Sequence, residues 1–254
     1  MPRARAPVAL FDVPPPSLPP LRTAGDRADI SIRDAAVCWL AGWLAGALMG
    51  SLVLSLSGAS KVADAGPGWF AASACAQWIP MIGALVYVGR RFGTGDLVRD
   101  FGLTFRPSDA LGIPIGIITQ LVVVRLVYLP LEAIWPRTFT MDKIEQRARD
   151  TVDNAGGGMV LIVLVVVIGA PLVEELVYRG LLQGAFTRRL NEWIGVVVVA
   201  LWFAVVHFQP VETPGLFAVG LVLGTCAVRA RRLGLGVVAH MAFNATGLIL
   251  VAAT

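Results

Sequence analysis

Charge disappears from this chain for about two dozen positions at a time. No Asp, Glu, Lys or Arg occurs from Ala35 to Ser60 or from Ala65 to Gly89. A third apolar block, Ala110 to Trp135, is broken only by Arg125 and Glu132. The fourth is uncharged from Asn154 to Val173, meets Glu174, and is expected to continue as helix to about Thr187. Later blocks cover Trp193 to Val211, Thr213 to Val228 and Leu233 to Thr254. A helix crosses a bilayer with about 20 such residues. Unbroken runs such as Val160 to Ile168 do not alternate as barrel strands must. Lipid obliges each segment to satisfy its own backbone. The pattern therefore predicts an all-α, polytopic transmembrane helix bundle of about seven spans, or eight, with the sixth block the most marginal in length. Met141 to Asp150 predicts a short surface helix.

Composition agrees. The 254 residues are 56% hydrophobic and 15% charged, against about a quarter charged in soluble domains. Disorder is excluded and a soluble enzyme is disfavoured. The net charge of +4 on so apolar a chain does not indicate nucleic-acid binding; the expected surroundings are the lipid bilayer. Residues 1–33 carry Arg3, Arg5, Arg22, Arg27 and Arg33, with five prolines between Pro14 and Pro20. They are expected to form a disordered, Pro/Arg-rich cytoplasmic tail without a signal peptide. Residues 34–254 then form the transmembrane domain, with a motif-bearing core at 155–254. Arginines follow the second, fourth and sixth blocks, while Lys61 follows the first. This places the N-terminus in the cytoplasm. Arg125 is expected to snorkel, pair with Glu132 or bind a substrate carboxylate. Cys38, Cys75 and Cys226 lie in separate apolar blocks and read as small buried side chains.

Ionisable groups inside a bilayer are costly and usually functional. In the second half these are Glu174, Glu175, Arg179, His207 and His240, joined by Asn244. Glu175 and Arg179, four apart, share a helical face and can pair. Glu174 points elsewhere and is left for chemistry, just after Pro171, where the helix is expected to bend. Phe203 can pack on His207, and His240 and Asn244 project together. A carboxylate beside an imidazole can activate water, and a His with an amide can stabilise an oxyanion. Zinc is a possible cofactor, with Glu174, His207 and His240 as its expected ligands and Asn244 as a further donor. The residues fit a metal-free glutamate mechanism equally well. H-E-x-x-H and G-x-S-x-G are absent. Three bland readings stay open at this point: solvated charges at a helix end, a transporter or proton relay, and a catalytically idle scaffold or immunity protein.

The motifs resemble those of one family, the intramembrane CAAX proteases and bacteriocin-processing enzymes (CPBP, or ABI), related to the type II CAAX prenyl endopeptidase. Its E-E-x-x-x-R motif is matched by Glu174-Glu175-Leu176-Val177-Tyr178-Arg179. F-x-x-x-H is matched by Phe203 to His207, and H-x-x-x-N by His240 to Asn244. Phe101-Gly102-Leu103-Thr104-Phe105-Arg106 is similar to a weaker family segment. The resemblance implies an intramembrane endopeptidase, often labelled a metalloprotease. Glu174 and His207 would activate water, His240 and Asn244 would form the oxyanion site, and Glu175, Arg179 and Phe203 would support them. The implied substrate is a membrane-embedded or lipid-modified protein or peptide. The implied location, for this Arg-, Ala- and Gly-rich chain, is a bacterial cell membrane.

Overall fold

The computed structural model describes residues 29–59 and 62–253. Most of the expected tail, and Lys61, lie outside them. Apart from a 3-10 turn at Val62–Ala65, nine helices are found among the described residues: α1 Ile32–Leu56, α2 Gly66–Phe92, α3 Leu97–Phe101, α4 Pro107–Ile134, α5 Met141–Asp153, α6 Gly156–Arg189, α7 Glu192–Val205, α8 Thr213–Ala230 and α9 Gly234–Ala252. Six of them (α1, α2, α4, α6, α8 and α9) are long and apolar enough to cross a membrane, and α7 is a shorter apolar helix of 14 residues. The protein is an all-α, multi-pass integral membrane bundle.

Lipid-facing packing reverses the usual placement of large and small residues. On α1, Leu40, Leu44, Leu48, Leu52 and Leu56 recur every four positions and are exposed. Gly42, Gly46 and Gly50 face α2. With tails as apolar as leucine outside, helices associate through close backbone contact, which small residues permit. A Cβ on Gly46 would lie 2.4 Å from the Gln77 carbonyl oxygen. The same device seats α4 on α9. Cβ atoms on Gly112 and Gly116 would come within 2.7 Å and 2.2 Å of the Ala239 backbone.

The helix ends bring the arginine-rich loops together. Ser31 caps α1 by accepting from the Asp34 amide, and Ile30 is buried. Arg189 donates to the Ile30 carbonyl and pairs with Asp29 at 2.9 Å. Arg232, at the α8–α9 turn, pairs with Asp109 at the start of α4. Arg231 pairs with Glu192 at 2.5 Å. Phe101 is fully buried, and the Leu233 amide donates to the Gly102 carbonyl at 2.9 Å. The Phe101–Arg106 segment therefore packs between α6 and the start of α9.

The fifth block departs from expectation. Its predicted span ran to Val211, but α7 ends at Val205. Phe208 takes a left-handed conformation at φ 51°, and Pro210 follows. The shortest apolar helix is thus the fifth; the sixth, α8, has 18 residues and is the shortest of the six long enough to cross. The first helix stops at Leu56, not Ser60. Cys226 is buried as expected, but Cys75 is exposed on α2. Arg125 pairs with Glu132, Nη1 lying 3.0 Å from both carboxylate oxygens.

Gly116→Ala should lower the thermal midpoint in detergent, the crowding costing about 1–3 kcal/mol. Gly83, whose Cβ would meet nothing within 4 Å, should tolerate the same change. An unaltered midpoint for Gly116→Ala would overturn the close α4–α9 packing.

Candidate active site

The carboxylates sit on an irregular part of α6. Leu164–Gly169 and Glu175–Gln183 are wound as π-helix, whose backbone bonds reach five residues back and whose rare occurrences gather at functional sites. The expected α-helical geometry is replaced, yet the expected pairing is present. Arg179 Nη1 lies 3.0 Å from Glu175 Oε1, and the two side chains are 1% and 0% exposed. Arg179 Nη2 donates to the Gly220 carbonyl at 3.2 Å, and Gln183 Nε2 to the Gly224 carbonyl at 2.9 Å. Glu175, Arg179 and Gln183 form a polar row whose last two members grip α8. A Cβ on Gly224 would lie 2.8 Å from Gln183 Oε1, so glycine leaves that side chain room. The only signal of Gln183 in the sequence is its four-residue register with Arg179, which does not reveal its acceptor.

His240, buried on α9, faces both carboxylates. Its Nδ1 lies 3.1 Å from Glu175 Oε1, and its Nε2 lies 3.8 Å from Glu174 Oε2. The first is a hydrogen bond; the second is too long for one. Glu175 is thus shared by Arg179 and His240, while Glu174, its side chain 24% exposed, is the more accessible carboxylate. Among the described residues the imidazole beside Glu174 is that of His240, and no His207 nitrogen makes an ion pair with it.

His207 lies in the turn after α7, not within a helix. Its Nδ1 is 2.6 Å from the Phe203 carbonyl oxygen, one of the orphan acceptors at a helix end. A carbonyl can only accept, so Nδ1 carries the hydrogen. In the neutral ring Nε2 then presents a lone pair. The ring of Phe203 joins the three motif segments. It is 1% exposed and lies edge-on to His207 at 4.8 Å and to His240 at 6.1 Å between centroids. It meets Tyr178 at 5.1 Å, and the Arg179 guanidinium lies 4.7 Å from its centroid. Tyr178, buried within the first motif, is a second residue not singled out in the sequence. Asn244 turns to α6, where its Nδ2 donates to the Val166 carbonyl at 2.7 Å.

The three expected zinc ligands, Glu174, His207 and His240, are not grouped. No cluster of three or more His, Cys, Asp or Glu side chains suited to a metal ion occurs among the described residues. The donor set fits a zinc site poorly in this geometry. The arrangement does offer an accessible carboxylate, an imidazole with a defined tautomer, and a second imidazole held by a buried carboxylate. These are the parts of an acid–base site.

Residues 156–246 match the family model described as type II CAAX prenyl endopeptidase Rce1-like. They contain all three motifs. An Escherichia coli protein described as an uncharacterized 24.3 kDa protein is 32% identical over 102 residues, covering 38% of this chain and 47% of that protein. The chain thus spans about half the length of the curated relative it matches. No solved structure matches the chain.

Removing Arg179 would leave Glu175 charged, buried and unpaired. Arg179→Met should therefore cost about 3–5 kcal/mol in detergent unfolding. Adding Glu175→Gln should recover much of that loss. Equal instability of the single and double variants would show that the pair is not what Arg179 contributes.

Proposed function

We propose, from the membership of residues 156–246 in the Rce1-like family of type II CAAX prenyl endopeptidases, that this protein is an intramembrane endopeptidase. It hydrolyses a peptide bond in a membrane-embedded or lipid-modified protein or peptide. The observation that carries the proposal is the meeting of the three motifs around Phe203, which brings Glu174 Oε2 to 3.8 Å from His240 Nε2. Motif residues of α6, α9 and the turn after α7 thus meet one buried ring in an otherwise apolar bundle, which supports a hydrolytic site there.

In this reading Glu174 is the general base. It takes a proton from water as the water oxygen attacks the scissile carbonyl carbon. His207, with Nδ1–H held by the Phe203 carbonyl, accepts a hydrogen bond from the same water through Nε2. The negative oxygen of the tetrahedral intermediate is held by His240 and Asn244. Donation from His240 Nε2 requires a ring carrying hydrogen on both nitrogens, and Glu174 and Glu175 flank that ring. The C–N bond then breaks, and the proton held by Glu174 passes to the leaving amine. Glu175, Arg179 and Phe203 hold these groups in place. The arginine-rich loops support an N-terminus in the cytoplasm, and the Arg-, Ala- and Gly-rich composition supports a bacterial cell membrane.

The purified protein should cleave membrane-derived peptides, read by mass spectrometry. Glu174→Gln should lower kcat by about 10²–10⁴ with little change in KM, the range for loss of a general base. His207→Ala should also lower kcat. Chelator should leave cleavage intact; loss on chelation and return with zinc would point instead to a metalloenzyme. Full activity in Glu174→Gln would sink the mechanism.

A further inference from the structure

Asn244 is bound to a carbonyl that the α6 backbone has left open, and the reason lies in Pro171. Within the π-helical turn Leu164–Gly169, the Ala170 amide donates to the Val165 carbonyl. The next bond in that register would run from residue 171 to the Val166 carbonyl. Residue 171 is proline, which has no N–H. The π run ends there, and the Val166 carbonyl accepts instead from Asn244 Nδ2 at 2.7 Å. Only the nitrogen side of the amide can make this bond, so the contact also fixes which way the amide faces. Its second N–H is unengaged among the described residues.

This contact lies two turns from Glu174 on α6 and one turn from His240 on α9. The Glu175–His240 hydrogen bond joins the same two helices at 3.1 Å. Together they form a two-point tie between the helix carrying the base and the helix carrying the second histidine. A backbone polar group left unpaired within the membrane is expensive, so the freed carbonyl draws the asparagine in.

We propose that Pro171 is a positioning residue for the active site. By lacking an N–H it opens the Val166 carbonyl, which captures one N–H of Asn244, aims the amide, and leaves the other N–H for the oxyanion. The capture itself is independent of the enzymatic reading; the effect on catalysis rests on it.

The test is a double-mutant cycle on the full-length protein in detergent, read by stability and by kinetics. Asn244→Ala should lower the thermal midpoint by about 2–8 °C, as expected for one acceptor left unsatisfied on a membrane-spanning helix. In a Pro171→Ala background the new amide satisfies the carbonyl, and that drop should shrink to near zero. Pro171→Gly supplies the same N–H and serves if Pro171→Ala folds poorly. An equal drop in both backgrounds would overturn the capture. Pro171→Ala alone should hold or raise the midpoint, since proline inside a helix is unfavourable. It should nonetheless lower kcat at least tenfold with KM within twofold, and adding Asn244→Ala should cost little more. A purely structural proline would give a stability change with unaltered kcat, which would overturn the positioning role. A wild type without peptidase activity would refute the proposed function and, with it, the positioning role, while the stability cycle still decides the capture.

Discussion

One buried ion pair organises the second half of this protein. Glu175 and Arg179 lie where no solvent reaches either side chain, and neither charge could stay there alone. Each therefore recruits further partners. Glu175 takes His240 as a second donor, and Arg179 reaches the Gly220 carbonyl and the face of Phe203. These contacts run from α6 to α9, α8 and α7, so four helices are positioned by the need to neutralise one glutamate. A guanidinium suits the task because its planar fork offers several donors and a face that stacks on an aromatic ring.

Around that polar centre the bundle is held by close fit. Glycine stripes on α1 and α4 allow backbones to touch, and the leucines of α1 face outward. The polar row on α6 also uses a small residue, since Gly224 leaves room for Gln183 to reach its carbonyl on α8, while Gly220 makes room for Ala200 of α7. Bulk on Gly224 would push Gln183 away from its acceptor.

Much of this was legible in the sequence. The charge-free blocks located α1, α2, α4, α6, α8 and α9, because in a membrane the absence of charge is itself the signal. The four-residue spacing of Glu175 and Arg179 foretold their pairing. The partners of Glu174, His207 and Asn244 were not legible. Periodicity along one helix says which side chains leave it together, but not which neighbouring helix receives them. The assumption of uniform α-helix hid the π turns on α6. It also carried His207 into a helix that ends two residues earlier, where hydrophobicity continues through Val206 and Phe208 while the backbone turns. Gln183 was invisible for a different reason, since its acceptor is a backbone carbonyl on a helix 41 positions further along the chain.

The brevity of α7 has a consequence for how a hydrolytic site could be supplied. Fourteen residues extend about 21 Å at the helical rise, while the hydrocarbon layer is about 30 Å thick. Entering from the arginine-rich end, the helix stops short of the far boundary, and the turn carrying His207 and Phe208 falls at a depth where bare backbone is not tolerated against lipid tails. Such backbone persists only where it is covered by protein or wetted. In this turn the amides of Val206, His207 and Phe208 fold back onto the carbonyls of Trp202, Ala204 and Val205, and the His207 ring takes the Phe203 carbonyl. Ending the span early thus turns a helix terminus into a mount, since the bonds that keep the backbone paired at depth also fix the direction in which the imidazole leaves it.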